Sequence, residues 1–118
     1  MSDEICVQVV CGEEFSPIAR WRHGGVSAPF WLHDFIADWE TRNAADRKDV
    51  SSVFKDLFWP DHVPSRIYNA TGVMTEADSP GDAGAVVIDV SGDTMKFTVH
   101  AGYLRVTPKG LVDSREEA

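Results

Sequence analysis

The sequence predicts an α+β fold: two central helices packed on one face of a mainly antiparallel sheet of four to five strands, in the order β(β)ααβββ(β). Three observations carry this expectation. Between Ser27 and Pro60 the apolar residues recur at helical spacing, and the stretch holds three of the four tryptophans and four of the six phenylalanines. From Arg66 onward the apolar period changes to two. At the other end, Ile5 to Val10 is β-branched and apolar on both sides of the alternation, the pattern of a strand with both faces covered.

Taken in order, Cys11-Gly12-Glu13-Glu14 breaks the first strand, and Pro17 to Arg22 predicts a shorter second one. There Ile18 and Arg20 share one face, Ala19 and Trp21 the other. Ser27 is a suitable N-cap and Pro29 suits the first helical turn, where no N–H is needed. Leu32, Phe35, Ile36 and Trp39 then form one apolar stripe, with Phe30 and Trp31 widening it. Asp34, Asp38 and Arg42 lie on the polar side, and Asp38 with Arg42 is spaced for a surface ion pair. Asn43 ends this helix or caps the next.

Val50, Val53, Phe54, Leu57 and Phe58 give the second helical stripe, with Asp46 and Asp49 near its start and Pro60 as its stop. Trp59 to Pro64 reads as a stiff loop. Arg66 to Met74 predicts a strand weakened at Asn69 and Gly72. Thr75 to Gly84 is a polar, acidic loop with turn chemistry at Ser79-Pro80-Gly81-Asp82. Ala85 to Val90 and Thr94 to His100, joined at Ser91-Gly92-Asp93, predict a hairpin. Ala101-Gly102 turns the chain into a last strand over Tyr103 to Thr107, closed by Pro108 and Gly110. These C-terminal strands are expected to form a meander.

The 118 residues suit one domain spanning 1–118, with only the polar ends, 1–4 and 113–118, expected to be disordered. No apolar run approaches the ~20 residues of a membrane helix, and the N-terminus is acidic, so the expected setting is cytoplasmic with no membrane contact. Cys6 and Cys11 are five apart, which sends them to opposite faces of a strand and disfavours a mutual disulfide.

Nineteen acids against eleven lysines and arginines give a formal charge of −8. That disfavours direct nucleic-acid binding and favours a protein partner with a basic surface, although acidity also serves solubility. The oligomeric state is not encoded in any readable pattern. Asp34, Asp38, Trp59, Asp61, Glu76, Asp78 and Asp82 are the candidate partner-binding residues, the tryptophan as an anchor and the carboxylates as charge complements.

The four histidines, His23, His33, His62 and His100, share no metal-ligand spacing with one another or with the cysteines, so neither a metal nor another cofactor is called for. Asp34 with Asp38 reads as a solvated helix face, and Asp89-Val-Ser91-Gly-Asp93 as a hairpin turn rather than a calcium loop. No nucleophile elbow occurs, which leans away from an enzyme.

One local constellation has a mechanism. Arg20, Arg22, His23, Gly24, Gly25 and Ser27 set two guanidiniums, an imidazole and a glycine pair ahead of a helix start, a combination able to hold a phosphate or carboxylate. It matches neither the Walker loop nor the dinucleotide fingerprint. Two binding functions therefore follow from the sequence. One is an acidic, non-enzymatic protein that docks on a macromolecule and inhibits or adapts it, even by imitating nucleic acid; in general type this is shared with bacterial immunity proteins and phage anti-defence inhibitors. The other is a small anion- or nucleotide-binding module at the Arg20–Ser27 segment.

Overall fold

A computed structural model describes residues 4–23, 28–58, 62–75, 83–107 and 110–113. The α+β class holds, built as a mixed six-stranded sheet, a separate two-stranded sheet and three helices. Strand β1 (Ile5–Cys11) is central. Its early half pairs antiparallel with β3 (Ile18–Trp21), and its end pairs with the two-residue β2 (Glu14–Phe15). On the far side β1 runs parallel to β5 (Gly84–Asp89), from Ile5 opposite Gly84 to Val10 opposite Asp89. With β4 (Arg66–Tyr68) outside β3 and β6 (Lys96–His100) outside β5, the order is β4-β3-β1-β5-β6.

This corrects the expected meander. The hairpin β5–β6 forms as the alternation predicts, but β5 lies against β1 and not against β4. The reason is burial: five of the six residues in Gly84–Asp89 are buried, so the strand needs neighbours on both edges and cover on both faces. The predicted Arg66–Met74 strand is paired only over Arg66–Tyr68. A further strand, β8 (Gly110–Asp113), pairs with β7 (Leu104–Thr107) and adds Leu111 to the core. β8 runs to Asp113, and Glu4 is paired with Arg20.

Helix α1 (Ala28–Glu40) buries Trp31, Leu32, Phe35 and Trp39 against the sheet face formed by Ile5, Val7, Val9, Ala19, Trp21, Val86 and Ile88. Each such aliphatic or aromatic side chain stabilises the fold by about 1.5–3 kcal/mol through area removed from water. The second predicted helix is two short ones, α2 (Ala44–Arg47) and α3 (Val50–Lys55). Two competing N-caps divide it. Asn43 Oδ1 accepts from the Asp46 N–H at 3.0 Å, and Asp49 Oδ1 accepts from the Ser52 N–H at 3.2 Å. The extended backbone that Asp49 needs to cap α3 cannot continue α2.

Trp39 ties α2 to the end of α1. Its indole Nε1 donates to the Arg47 carbonyl at 2.9 Å, while the Arg47 guanidinium lies 5.2 Å from the ring centroid and donates to the Glu40 carbonyl. That cation at the C-terminus of α1 satisfies a carbonyl no helix turn follows. Arg42 pairs with Asp56 and not with Asp38, and also donates to Ser52 Oγ at 3.2 Å. Tertiary proximity of α3 outweighs the helical i,i+4 spacing there.

The second face of the sheet carries Cys6, Val10, Ile18, Ala85 and Val87, covered by Met74 from the segment after β4. Cys6 thus faces this smaller cluster while Cys11 packs against the helix-side core, and no disulfide joins them, as the odd spacing predicts.

His62 is stacked on Trp21 at 4.7 Å between centroids, and Trp31 lies 4.6 Å away on a tilted plane. Burial pushes the imidazole below its ordinary pKa of 6.5. The folded protein therefore favours neutral His62, whereas the unfolded chain takes up a proton near pH 6.5. Between the unfolded and the lower folded pKa the unfolded state binds more protons, so stability falls as pH drops below about 6.5. Urea midpoints at pH 7.5 and pH 5 are expected to differ more for the native sequence than for His62→Phe; equal slopes would show that His62 contributes nothing to the pH dependence.

Candidate functional site: an arginine cleft at the sheet edge

Register brings the site together. Arg20 on β3 lies directly opposite Arg66 on β4, and Ile18 opposite Tyr68. Alternation puts Arg20, Arg66 and Tyr68 on the second face of the sheet, away from the helices. Just before β4, the Ser65 N–H donates to the Arg20 carbonyl at 2.7 Å, and the Arg22 N–H donates to Ser65 Oγ at 3.1 Å. The result is an open cleft of about 350 Å³ lined by Arg20, Arg22, Ser65, Arg66 and Tyr68.

Like charges facing each other across two strands repel, so the pairing of Arg20 with Arg66 needs an offset. Part of it is Glu4, which pairs with Arg20 and is only 14% exposed. The rest comes from Tyr68. Arg20 Nη1 donates to its hydroxyl at 3.0 Å, and the Arg66 guanidinium sits 5.4 Å from its ring centroid. Tyr68 and Glu4 hold the Arg20 guanidinium above its ordinary range. In turn, hydrogen bonds from Arg20 and then Arg66 bring the Tyr68 phenol below the usual tyrosine range. Among the described residues, three guanidinium charges against one carboxylate leave a surplus of two positive charges at the cleft, in a chain whose formal total is −8.

Of the residues the sequence singled out for anion binding, Arg20 and Arg22 line the cleft and His23 is exposed outside its lining. Gly24, Gly25 and Ser27 lie outside the described residues, so the cleft rests on the β3–β4 pairing and not on the helix start. No family model, curated protein or solved structure matches the chain. The site is therefore argued from its own geometry.

Among the proposed partner-binding residues, Asp34 and Asp38 are exposed on the outer face of α1; Trp59, Asp61, Glu76, Asp78 and Asp82 lie outside the described residues. Asp34 meets His33 at 3.7 Å, both largely in solvent. Among the described residues no three metal-ligating side chains converge. Asp89 Oδ1 accepts from the Ser91 N–H at 2.9 Å, the bond of an ordinary turn. No helix among the described residues is long and apolar enough to cross a membrane.

Glu4, Ser65, Arg66 and Tyr68 were not among the sequence-derived candidates. Arg66-Ile67-Tyr68 does alternate polar with apolar, as Arg20-Trp21-Arg22 does. That similarity is a weak local signal that two strands with polar outer faces exist; it does not say that they pair.

Proposed function

We propose that this protein is a binding module that holds a small anion, or the anionic end of a larger ligand, in the Arg20–Arg22–Arg66 cleft. The observation that carries the reading is the convergence of three arginines on one cleft with, among the described residues, a single carboxylate to balance them. Arginine presents a planar fork of donors that fits carboxylate and phosphate oxygens. Fixing those forks in advance, through Glu4, Tyr68 and the β3–β4 register, lowers the ordering cost of binding.

The test is thermal stabilisation by inorganic phosphate. A ligand that binds only the folded state raises its stability with concentration. Phosphate at 1–30 mM (on the order of its expected Kd,) should raise Tm in a saturable way, and the rise should vanish in Arg22→Ala/Arg66→Ala. Both side chains are exposed, so this variant should keep its unliganded Tm within about 2 °C. A rise that persists in the variant would place the effect elsewhere on the surface.

A second reading, docking on a basic protein surface, is favoured by the outer face of α1. There Phe30 is 76% exposed one turn from Asp34, an aromatic flanked by carboxylate charge. The helix lies on the opposite side of the sheet from the cleft, so Asp34→Lys/Asp38→Lys should abolish such docking and leave phosphate stabilisation unchanged.

A further inference from the structure

Resting on the anion-binding reading, we infer that the cleft selects a phosphate monoester in its dianionic form. Charge is the first argument. The surplus of two positive charges among the described residues matches a dianion, and a monoanion would leave one of these guanidiniums uncompensated. Near neutral pH a carboxylate, a sulfate ester and a phosphodiester each carry one negative charge. A phosphate monoester carries close to two, because its second proton leaves near pH 6.

Hydrogen-bonding capacity is the second argument. Every described side chain lining the cleft can donate. Arg22 and Arg66 pair with no carboxylate among the described residues, and both are exposed. Ser65 Oγ already accepts from the Arg22 N–H, which leaves its own O–H to donate outward. The Tyr68 oxygen accepts from Arg20, so its O–H is likewise left to donate. The Glu4 carboxylate beside the cleft is paired with Arg20. Such a lining suits a group made only of acceptors, and the three terminal oxygens of a phosphate monoester are that group.

Size is the third argument. At about 350 Å³ the cleft is on the scale of small-ligand pockets, roughly 300–1,000 Å³, so it holds more than a phosphoryl group. An organic stem is expected to fill the remaining volume. Arg20 acts as a positioning residue, fixed by Glu4 and Tyr68, while Arg22 and Arg66 make the direct contacts.

The experiment compares ligands that differ in charge but not in framework. AMP, a monoester, and cyclic AMP, a diester with the same base and sugar, are titrated by calorimetry, with glycerol 3-phosphate and inorganic phosphate as arms that vary the stem. AMP or glycerol 3-phosphate is expected to bind at least about tenfold more tightly than cyclic AMP at pH 7.5, from the second charge. Monoester affinity should rise between pH 5.5 and 7.5 as the dianion forms, cyclic AMP should show no such rise, and Arg22→Ala/Arg66→Ala should remove all of it. Equal affinity for monoester and diester, lost in the double variant, would overturn the dianion inference and leave the anion site standing. Absence of binding by every probe, or binding indifferent to the double variant, would overturn both. If AMP and glycerol 3-phosphate bind alike, the phosphoryl group carries recognition; if AMP alone binds, the stem contributes too.

Discussion

Gly102→Ala is expected to destabilise the protein by about 4 kcal/mol and to lower Tm by more than about 10 °C. Gly102 has φ +74, in the left-handed region where a Cβ costs roughly 1–2 kcal/mol. The larger part is space. A Cβ there would lie 2.2 Å from both the carbonyl carbon and oxygen of Ala83, and 2.4 Å from the Gly84 nitrogen. These are backbone atoms, so no rotamer change relieves the overlap. Nor can Ala83 move freely: its N–H donates to the Glu4 carbonyl at 3.0 Å, and its own carbonyl accepts from the Leu104 N–H at 3.3 Å. Gly84 opens β5, the strand that runs beside β1 through the middle of the sheet. The turn leaving β6 is therefore pressed against the start of the central parallel pair, and a methyl group at residue 102 pries them apart. Gly72→Ala is the matched control. Nothing lies within 4 Å of a Cβ there, and its effect should stay within about 0.5 kcal/mol. Thermal and urea unfolding followed by circular dichroism measure both; a Tm loss of only a few degrees for Gly102→Ala would mean that the Ala83–Gly84 backbone yields.

That contact explains why the sheet order was hard to read from the chain. Strand β1 announces itself as a β-branched run, and β5–β6 as a hairpin by alternation and turn residues, because those signals are local. The parallel pairing of β1 with β5 joins residues some eighty positions apart, and no periodicity encodes it. A hint was available, since Ala85 to Val90 is almost continuously apolar, and such a run belongs in the middle of a sheet. The meander expectation gave sequence adjacency more weight than that run. The helical region shows the reverse case. Both apolar stripes were legible, yet the Asp49 cap starts a new helix at the second stripe and cuts it off from α2, because local hydrogen bonding wins there over helix continuation.

The cleft was half legible for the same reason. Arg20 and Arg22 stand two apart in a short strand, and their shared face follows from alternation alone. Arg66 and Tyr68 join them only through the β3–β4 register, with Arg20 reaching Tyr68 across 48 positions. Glu4 escaped notice because an acid near the end of a chain reads as a polar tail; its burial beside Arg20 is a tertiary fact.

Gln8→Met should destabilise the protein by about 3 kcal/mol and, although Gln8 lines no part of the cleft, weaken phosphate binding severalfold. Gln8 is the polar residue in an otherwise apolar Ile5–Val10 run and is fully buried. Its Nε2 donates to the Ser16 carbonyl at 3.0 Å and to the Gly72 carbonyl at 2.9 Å, while its Oε1 accepts from the Met74 N–H at 2.8 Å. One amide thus staples the 69–75 segment across the second face of the sheet and seats Met74, 2% exposed, on Cys6, Val10, Ala85 and Val87. Methionine keeps the length and apolar bulk of the side chain but none of these bonds. Each buried group left unpaired costs about 1–3 kcal/mol, partly recovered where the segment lifts and meets water. Lifting is what links the core to the site. The segment begins directly after Tyr68, so once it is free, β4 is held only from its start and from β3, through the three-residue pairing, the Ser65 bonds to Arg20 and Arg22, and the Arg20–Tyr68 bond. Arg66 and Tyr68 then lose the fixed placement that lets them meet Arg20 and Arg22 around one ligand, and binding pays the ordering entropy that the staple had removed. Met74→Ala separates the two parts of the effect: it empties the apolar seat but keeps the Gln8 bonds, so it should lower stability with little change in affinity. Urea midpoints together with the phosphate-induced Tm rise measure both variants. A Gln8→Met protein that loses stability yet binds phosphate unchanged would show that β4 holds the cleft without help from the loop behind it.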